Sequence, residues 1–477
     1  MTHGTTALLG ALDDARVVGN LPPAIDAIVT DSRAARPGAL YVALRGERMD
    51  GHSFAGAAVA NGAVVVVAEH EMPLDAPQVI VRDTRVAISR LADTFYEHPS
   101  HALEIAGITG TNGKTTTAHL VRGVLEAAGR PCGIIGTLGG GFAERAWPLG
   151  NTTPLALELH AVLAGMRSAG AAAVAMEVSS HALALGRVRD VRFAVAALTN
   201  VTRDHLDFHE TLERYTAAKR ALFDLAPIAV LNLDDAAGAR FAAELPHAVT
   251  YAVDAAAAVR PSALALTPAG SIFRIDGTPV TLRLPGRFNV RNALAAFAVG
   301  RALGVDDAAI ARGIESVDSV AGRMERIGAA GIDAVVDYAH TPDALANVLR
   351  AARETAAREI IVVFGCGGDR DPGKRPQMGA IAAELADRVI VTSDNPRSED
   401  PFAIARAVAD GIRADIILDR RNAIRTAVLE AQDGDTLIVA GKGHEPYQII
   451  GSETRPFDDR DEVRAALAER AQRRTPA

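Results

Sequence analysis

The sequence Gly107-Ile108-Thr109-Gly110-Thr111-Asn112-Gly113-Lys114-Thr115-Thr116 lies between an apolar strand and a helix. We predict the strand over Glu104 to Gly110 and the helix over Lys114 to Ala128. The backbone N–H groups of a glycine-rich loop and of the helix N-terminus that follows it form a cradle for phosphate. In this cradle Lys114 is placed to reach the terminal phosphates, and the Thr115 hydroxyl is placed to face Mg²⁺.

This loop departs from the strict phosphate-loop template at one position. The template has glycine where this chain has Ile108, and Gly107 and Gly110 bracket that residue instead. An ordinary glycine turn is the alternative interpretation. Because Gly-Lys-Thr-Thr opens a helix, we favour nucleotide binding. The predicted nucleotide-binding residues are Gly110, Thr111, Asn112, Gly113, Lys114, Thr115 and Thr116.

Strand and helix patterns alternate on both sides of the loop, which is typical of doubly wound parallel sheets. Further central strands are predicted at Ala171 to Val178, Phe193 to Thr199 and Ala229 to Asp234. A second series is predicted at Ala334 to Tyr338, Glu359 to Phe364, Arg388 to Thr392, Asp415 to Leu418 and Thr436 to Ala440. Between the two series, Ala263 to Pro285 reads as a hairpin with Asp276-Gly277 at its turn. We predict an α/β protein with three domains, at residues 1–100, 101–323 and 324–477.

Composition places the chain among ordinary globular proteins. Its 477 residues are 49% hydrophobic and 23% charged, and 50 basic against 58 acidic residues give a net charge of −8. That mild acidity, without long basic runs, argues against a nucleic-acid-binding protein. The two cysteines, Cys132 and Cys366, have no ligand-like spacing, and no apolar run is long enough to cross a bilayer. We therefore expect a cytoplasmic protein with no stable membrane association.

Polar residues follow the predicted central strands and supply candidate magnesium ligands. Glu177 emerges at the carboxyl end of its strand, beside the phosphate loop in a parallel sheet, although a helix cap is an alternative. His205 follows the next strand, where an ordinary loop histidine is the alternative. Lys219 shares a predicted helix face with Leu212, Tyr215, Leu222 and Phe223. An apolar site would favour its neutral, reactive amine, whereas snorkelling to the surface is the alternative.

Three motifs occur in the order in which the Mur ligase family carries them, and the sequence therefore resembles that family. They are Gly110 to Thr115, Glu177-Val178-Ser179-Ser180-His181 and Asn200-Val201-Thr202-Arg203-Asp204-His205. The resemblance extends from about Asp31 to Glu445 and includes Leu284 to Ala293, Gly322 to Glu325 and Asp337 to Pro342. It implies a uridine-binding N-terminal α/β domain, a central P-loop-type ATPase domain with a parallel sheet, and a Rossmann-like C-terminal domain.

The resemblance also assigns roles to individual residues. It implies that Lys219 is carbamylated and joins Thr115, Glu177 and His205 as a magnesium ligand. Catalytic roles fall on Lys114, Glu177, His205 and Lys219. Further ATP contacts are implied for Asn289, Asn292, Arg323 and Asp337. The uridine end would be held by Thr30, Ser32, Glu47, Arg48 and Met49, and the muramoyl dipeptide by Asn151, Thr152, Thr153, Ser179 and Arg187. A helix N-cap at Asn151 to Pro154, before Leu155, is compatible with that binding role.

Three loops of the third domain leave predicted strand ends at one sheet edge, where they can meet a single ligand. They are Gly365 to Arg370, Ser393 to Arg397 and Gly441 to Glu445. Arg370 and Arg397 offer cations for carboxylates, and Asp394 and Glu445 offer anions for ammonium groups. This set suits a diamino dicarboxylic acid better than lysine. The family resemblance points to the same amino acid, since Asp394-Asn395-Pro396-Arg397 resembles the motif of family members that use meso-2,6-diaminopimelate. We therefore add Asn395, Pro396 and Gly441 to the predicted pocket.

The resemblance implies a ligase of peptidoglycan synthesis, and we expect it to be a monomer. It would use ATP and Mg²⁺ to convert the D-glutamate carboxylate of UDP-N-acetylmuramoyl-L-alanyl-D-glutamate into an acyl phosphate, which the diaminopimelate amine then attacks. One alternative is a folylpolyglutamate synthase-like ligase, which shares the ATP domain but lacks the uridine domain. Another is a regulatory or transport P-loop NTPase that forms no amide.

Overall fold

The computed structural model describes residues 2–46, 49–267 and 269–474. The chain forms two compact units: residues 1–109, 130–196 and 218–228 make the first, and residues 110–129, 197–217 and 229–477 make the second. Glu47 and Arg48, predicted to contact uridine, lie outside the described residues. Among the described residues, no helix is long and apolar enough to cross a membrane.

The first unit begins with a five-stranded sheet. Its strands, in spatial order, are Arg16–Val18, Gln78–Ile80, Ala63–Ala68, Ala39–Val42 and Ala27–Val29. The first pair is antiparallel and the remaining pairs are parallel. The short strands His3–Gly4 and Ala24–Ile25 form a separate antiparallel pair. The helices in this part of the chain are Thr5–Leu9, Ala55–Ala60 and Thr84–Phe95. Three 3₁₀ turns lie at Ser32–Ala34, Gly51–Phe54 and Pro99–Ala102. Leu40, Val67 and Leu91 are fully buried in the shared core.

The second sheet of this unit carries the strand before the phosphate loop. Its order is Arg145–Trp147, Gly139–Phe142, Cys132–Gly136, Ala173–Glu177 and Glu104–Thr109. The last three strands are parallel. The helices are Ala156–Ser168 and Ser180–Ala184, with a 3₁₀ turn at Ala221–Asp224. Gly107 lies within strand Glu104–Thr109 and not in the loop. An added Cβ at this position would lie 2.8 Å from the Phe193 ring, so the packing there requires glycine.

The second unit holds the helix after the phosphate loop, Lys114–Ala127. Its other early helices are Leu206–His209, Ala236–Glu244, Arg287–Ala302 and Asp307–Glu315, and helix Leu212–Arg220 spans the division between the units. Strands Ala229–Asn232 and Val249–Tyr251 pair in parallel, and strand Val195–Leu198 also spans the division. The predicted hairpin is confirmed within a three-stranded antiparallel sheet of Ser262–Thr267, Gly270–Ile275 and Thr278–Leu282. Asp276 and Gly277 have φ angles of 47° and 88°, as a type I′ turn requires.

The C-terminal part of the second unit is a six-stranded sheet. Its order is Glu325–Ala329, Ile332–Asp337, Thr436–Ala440, Ile360–Phe364, Arg388–Val391 and Asp415–Ile416. Only the first pair is antiparallel. Helices Pro342–Thr355, Lys374–Leu385, Pro401–Ala409, Arg420–Glu430 and Asp459–Arg474 accompany it, and strands Tyr447–Ile450 and Glu453–Pro456 form a hairpin. Two separate apolar clusters cover the two faces, which confirms the doubly wound prediction.

Two local predictions are wrong. Leu212 is 42% exposed, whereas Tyr215, Leu222 and Phe223 are buried as predicted. Leu222 and Phe223 lie in a tighter 3₁₀ turn that follows the helix, so the period of an α-helix does not describe their positions.

The second wrong prediction is the helix N-cap at Asn151 to Pro154. The helix that follows begins at Ala156, and its N-cap is Leu155, which makes no side-chain hydrogen bond to the helix.

Candidate active site

The phosphate loop in the second unit ends in a backbone conformation that favours glycine. Gly113, the N-cap of helix Lys114–Ala127, has a φ of 86°. The Lys114 ammonium donates hydrogen bonds to the carbonyls of Gly110 and Thr111, at 2.9 and 2.8 Å. The lysine therefore lies along the loop whose N–H groups would face phosphate, as the sequence predicts.

A second loop, residues 199–202, holds the phosphate loop in place. Asn112 N–H donates to the Asn200 side-chain oxygen at 3.0 Å, and the Asn200 amide donates back to the Asn112 carbonyl at 3.0 Å. The Thr199 hydroxyl donates to the same carbonyl at 2.6 Å. Thr111 N–H donates to the Asn200 carbonyl at 2.8 Å. These bonds give the motif Asn200 to His205 a structural role: it orders the cradle.

We expect Gly110→Ala to lower stability by about 2–3 kcal/mol through backbone strain and a lost hydrogen bond. Gly110 has a φ of 148°, and an added Cβ would overlap the Thr199 hydroxyl. Thermal unfolding with and without ATP measures the effect. Gly129→Ala is the matched control, because Gly129 also has a positive φ, 73°, but nothing within 4 Å of an added Cβ. Equal midpoints for the two variants would contradict the role assigned to this packing.

Thr115 and Arg323 meet at the helix start. The Thr115 side chain is buried, and its hydroxyl accepts a hydrogen bond from Arg323 Nη2 at 3.0 Å. The guanidinium also stacks on the Tyr338 ring, 4.6 Å from the centroid. Both predicted residues therefore lie at the phosphate loop, and Arg323 adds a fixed positive charge to that surface.

The predicted Asn289 and Asn292 are also brought to the loop. Both are buried on helix Arg287–Ala302, and the Asn292 amide donates to the Asn289 side-chain oxygen at 3.0 Å. An added Cβ on Gly113 would overlap the Asn292 side-chain oxygen, so this helix packs directly on the loop. Asp337, by contrast, is turned to the backbone: its carboxylate accepts from Met324 N–H at 2.7 Å, and burial raises its pKa.

Asp204 is a charged neighbour that the sequence analysis left without a role. Burial opposes its ionisation, but electrostatic attraction to His205, His340, Lys374 and Lys114 outweighs that effect and lowers the pKa of Asp204. Its carboxylate lies 3.3 Å from His205 Nε2. His205 itself has a φ of 53°, in the left-handed region. The Asp204 carboxylate thus stays ionised, with Lys114 and Lys374 among its neighbours.

In the first unit, Glu177 is buried at its predicted strand end. Its carboxylate accepts from Thr137 N–H at 2.8 Å and from the Thr137 hydroxyl at 3.1 Å. That hydroxyl lies 3.1 Å from the Thr152 hydroxyl. Thr153 bonds to the Glu177 carbonyl at 2.9 Å and accepts from Ser179 N–H at 3.0 Å. Four predicted positions therefore form one polar cluster.

Arg187 and Asn151 differ in their relation to this cluster. Arg187 Nη1 donates to the Thr153 carbonyl at 3.0 Å, which joins it to the cluster. Asn151 is exposed, and no hydrogen bond places it there. Ser179 also caps the helix Ser180–Ala184 by accepting from Ala182 N–H. The predicted dipeptide contacts are thus brought together except for Asn151.

Lys219 is only 1% exposed, so the snorkelling alternative is wrong. A charged ammonium in that position would carry a large desolvation cost unless other groups compensate it. The burial of Lys219 therefore agrees with the apolar environment that the helix pattern predicts for it.

The uridine candidates lie near the start of the first unit. Asp31 caps the 3₁₀ turn Ser32–Ala34 by accepting from Arg33 N–H at 2.9 Å. The Arg33 side chain bonds to the same carboxylate and lowers the pKa of Asp31 to about 2. Thr30 directly precedes the cap residue Asp31, Ser32 is the first residue of the turn, and Met49 is 67% exposed. The motif Asp31-Ser32-Arg33 is thus a self-contained turn that fixes the Ser32 backbone.

The three C-terminal loops converge, as predicted. Asn395 donates to Glu445 Oε2 at 3.0 Å, and an added Cβ on Gly441 would lie 3.3 Å from Asp394 Oδ2. An added Cβ on Gly367 would lie 2.9 Å from Arg397 Nη1 and 3.9 Å from Arg370. Glycine in these loops therefore allows charged side chains to approach the backbone closely.

At the centre of these loops lies Lys442, which the sequence analysis quoted but did not assign. It is fully buried, 3.2 Å from Asp394 Oδ1 and 3.6 Å from Glu445 Oε2, and it donates to Asn395 Oδ1 at 3.0 Å. Burial opposes ionisation of Asp394, but Lys442 and then Arg420 outweigh it and lower the pKa of Asp394. Burial, and then the Asp394 charge, raise the pKa of Glu445. The two acids therefore enclose the ammonium group of the chain's own Lys442, whereas the sequence analysis assigned them to the ammonium groups of a ligand.

The two predicted arginine clamps differ. Arg397 has a φ of 52° and donates to the Gly368 carbonyl at 2.7 Å, which fixes its direction. Arg370 is exposed and donates only a 3.4 Å bond, to the Asp369 carbonyl, in the described part of the chain. Arg397 is thus preorganised, whereas Arg370 keeps its guanidinium at the surface.

The phosphate loop follows a strand of one parallel sheet, and a cluster of charged loops lies at the edge of a second sheet. Together these two features define a nucleotide-binding α/β enzyme with a separate site for a charged ligand. The chain belongs to the Mur ligase family. Its residues 24–96 match the model "Mur ligase family, catalytic domain", residues 108–300 the "Mur ligase middle domain" and residues 322–443 the "Mur ligase, glutamate ligase domain". The three consecutive matches confirm the predicted three-domain α/β architecture.

Curated relatives and one solved structure share the whole length of the chain. The UDP-N-acetylmuramoyl-L-alanyl-D-glutamate--2,6-diaminopimelate ligase of Gloeobacter violaceus is 45% identical over 471 residues, with 95% of this chain and 96% of the relative covered. The ligase of the same name from Geobacillus kaustophilus is 44% identical, with 94% and 96% covered. A solved structure of a ligase with this name has a TM-score of 0.70 and 34% identity, with 100% of both chains covered.

Proposed function

We propose that this chain uses ATP to join meso-2,6-diaminopimelate to the D-glutamate of UDP-N-acetylmuramoyl-L-alanyl-D-glutamate. It is an ATP-dependent acid–amino-acid ligase of peptidoglycan precursor synthesis. Near full-length identity of 44–45% to ligases of that name is the observation that carries this function. Lysine as the alternative amino acid is disfavoured, because Arg370 and Arg397 offer two cations for carboxylates and lysine has only one carboxylate.

The reaction requires activation, because a carboxylate oxygen is a poor leaving group. The D-glutamate side-chain carboxylate attacks the γ-phosphorus of ATP, which gives an acyl phosphate and ADP. The diaminopimelate amine then attacks the acyl carbon, loses a proton, and displaces inorganic phosphate to leave an amide. Lys114 and the N-terminus of helix Lys114–Ala127 stabilise charge on the transferring phosphoryl group. Positioning supplies most of the remaining rate enhancement.

Magnesium fits the donor set proposed from the sequence. The Thr115 hydroxyl and Glu177 carboxylate are hard oxygen ligands of the kind that Mg²⁺ prefers, and His205 is the proposed nitrogen ligand. Lys219 provides an oxygen ligand only if its amine is carbamylated, and its near-complete burial is the observation that motivates a test of this modification. Bound Mg²⁺ would neutralise the phosphates. Intact-mass spectrometry of the protein in bicarbonate buffer tests the modification.

The proposed nucleotide and amino acid contacts follow the two polar clusters. Thr152, Thr153, Ser179 and Arg187 would hold the dipeptide near Glu177, with Asn151 at the rim, and Thr30, Ser32, Glu47, Arg48 and Met49 would hold uridine. Gly110 to Thr116, Asn289, Asn292, Arg323 and Asp337 would hold ATP. Arg370, Asp394, Asn395, Pro396, Arg397, Gly441 and Glu445 would hold diaminopimelate. The domain limits 1–100, 101–323 and 324–477 are part of the same proposal.

Asp394→Asn is expected to raise the KM for diaminopimelate about 10–100-fold, because a charge-assisted hydrogen bond to an ammonium group is lost. The KM for ATP should change little. Asp415→Asn is the control, since Asp415 is an exposed acid of the same sheet that pairs with Arg388. An unchanged KM for diaminopimelate would remove Asp394 from the amino acid site.

The Asp394→Asn substitution should also change how the stability of the fold depends on pH. The folded-state pKa of Asp394 is lowered below its unfolded value of about 3.9, so its ionisation stabilises the fold above that pH. This stability is lost as the pH falls through the folded-state pKa. The thermal midpoint of Asp394→Asn should therefore fall less steeply with acidification below about pH 4 than that of the wild type. Parallel profiles would contradict the direction of the shift.

Phosphate release tests the function against its alternatives. The ligase should release phosphate only when ATP, the nucleotide dipeptide and diaminopimelate are all present, and mass spectrometry should show the tripeptide product. A regulatory NTPase would release phosphate without the other two substrates. A folylpolyglutamate synthase-like enzyme would instead require a folate acceptor and glutamate.

We further propose a cytoplasmic location and a monomeric state. Among the described residues, Cys132 and Cys366 are both buried and form no disulfide, which agrees with a reducing compartment. The monomer stays a prediction, and light scattering of the purified chain at working concentration tests it.

A further inference from the structure

A turn far from the motifs above brings together three side chains with metal-binding atoms. It connects helix Thr84–Phe95 to strand Glu104–Thr109 in the first unit. Asp93, His98 and His101 each place one donor atom within 4.8 Å of the other two. We propose that this turn binds one Zn²⁺ ion through Asp93, His98 and His101, with His160 as the fourth ligand.

The backbone of the turn is shaped to make this cluster. Glu97 and His98 have φ angles of 57° and 49°, so two consecutive residues other than glycine occupy the left-handed region. This reverses the chain, and His98 N–H donates to the Asp93 carbonyl at 2.8 Å. The His98 Nδ1 atom then lies 2.6 Å from Asp93 Oδ2, and the His101 ring stacks on the His98 ring with centroids 5.2 Å apart.

His160 points into the cluster from a different helix, Ala156–Ser168. Its side chain is fully buried, and its Nδ1 atom lies 3.5 Å from Asp93 Oδ1. Neither ring nitrogen of His160, nor Asp93 Oδ1, has a hydrogen-bond partner among the described residues. A buried imidazole without partners costs free energy that a metal ion at the same place would offset.

One separation in the cluster already suits a tetrahedral ion. Two ligand atoms at about 2.1 Å from a tetrahedral Zn²⁺ are about 3.4 Å apart, which is close to the 3.5 Å between His160 and Asp93. His98 and His101 are exposed, so a rotation of their rings that adjusts the remaining separations would disturb no buried packing.

The donor set selects the class of metal. Three imidazoles and one carboxylate suit Zn²⁺, whereas Mg²⁺ and Ca²⁺ prefer sites made only of oxygen. The ion would tie helix Thr84–Phe95 to helix Ala156–Ser168 and fix the segment that leads into the strand before the phosphate loop. The proposed role is therefore structural and lies outside the reaction.

Zinc titration of the full-length, chelator-treated chain tests this site. Calorimetry and elemental analysis should show one more equivalent of Zn²⁺ in the wild type than in His98→Ala/His101→Ala, and Zn²⁺ should raise the thermal midpoint of the wild type by more. Co²⁺ in place of Zn²⁺ should give a tetrahedral visible spectrum that this variant lacks. His101→Ala alone, an exposed substitution that leaves the core intact, should weaken the affinity at least about 10-fold.

Two controls separate this site from other histidines. His247→Ala, at an exposed loop position, and His205→Ala, at the proposed magnesium site, should both keep the extra equivalent. Equal stoichiometry and equal Co²⁺ spectra in the wild type and in His98→Ala/His101→Ala, or an unchanged Zn²⁺ affinity in His101→Ala, would overturn the proposal. Loss of the equivalent in His205→Ala, with its retention in His101→Ala, would also overturn it.

Discussion

Lys114→Ala is expected to reduce kcat about 10²–10³-fold, because one fixed cation at the developing phosphoryl charge is lost. In the structure the Lys114 ammonium also bonds to the carbonyls of Gly110 and Thr111, so its removal loosens the loop. Steady-state phosphate release with all three substrates saturating measures the effect. The KM for diaminopimelate should stay close to that of the wild type, since that amino acid is bound elsewhere.

Arg122→Ala is the matched control for Lys114→Ala. Arg122 lies on the same helix, where it forms an exposed ion pair with Glu126 at 2.9 Å. Removing this cation should leave turnover almost unchanged. A near-normal rate for Lys114→Ala, with the control also normal, would exclude the loop from the mechanism.

Arg420→Met is expected to cost about 3–5 kcal/mol of stability, because it leaves a buried carboxylate without its partner. Arg420 and Asp459 are both fully buried, and two parallel hydrogen bonds of 2.7 Å join them. Arg420 also donates to the Ala440 carbonyl at 2.9 Å, directly before the loop that carries Lys442. Denaturant unfolding monitored by circular dichroism measures the loss.

An exposed pair between the same two helices provides the control. Arg425 and Glu469 are joined by bonds of 2.7 and 2.6 Å, yet Arg425→Met should cost only about 0–1 kcal/mol because water screens the pair. The double variant Arg420→Met/Asp459→Asn should recover part of the loss, since no charge is left buried. Equal costs for Arg420→Met and Arg425→Met would contradict the importance of burial.

Much of the fold follows from local sequence patterns. Strand Thr436–Ala440 has the predicted limits, because a continuous apolar run there is bounded by turn residues. The turn at Asp276-Gly277 was predictable because it needs two residues with positive φ. The strand, loop and helix around Gly110 were also predictable, because the positions of glycines and the residues that start a helix are local features of the sequence.

Other features depend on tertiary packing that one sequence does not encode locally. The burial of Lys442 and Arg420 is decided by partners from distant loops and helices, and a lone lysine or arginine is usually exposed. A Gly-Lys-Gly sequence after a strand was the only local signal for Lys442. Thr137, which holds Glu177, carried no signal, because a single threonine after a strand is too common.

A direct competition between amino acids tests the central claim, that paired acids and arginines in the C-terminal loops select a diamino dicarboxylic acid. The purified chain, ATP and UDP-N-acetylmuramoyl-L-alanyl-D-glutamate are offered diaminopimelate, lysine and ornithine in parallel, with products identified by mass spectrometry. We predict that kcat/KM for diaminopimelate exceeds that for lysine by at least about 100-fold, because lysine leaves a carboxylate-binding arginine unpaired. Equal use of lysine, or ATP hydrolysis without a new amide bond, would contradict the account.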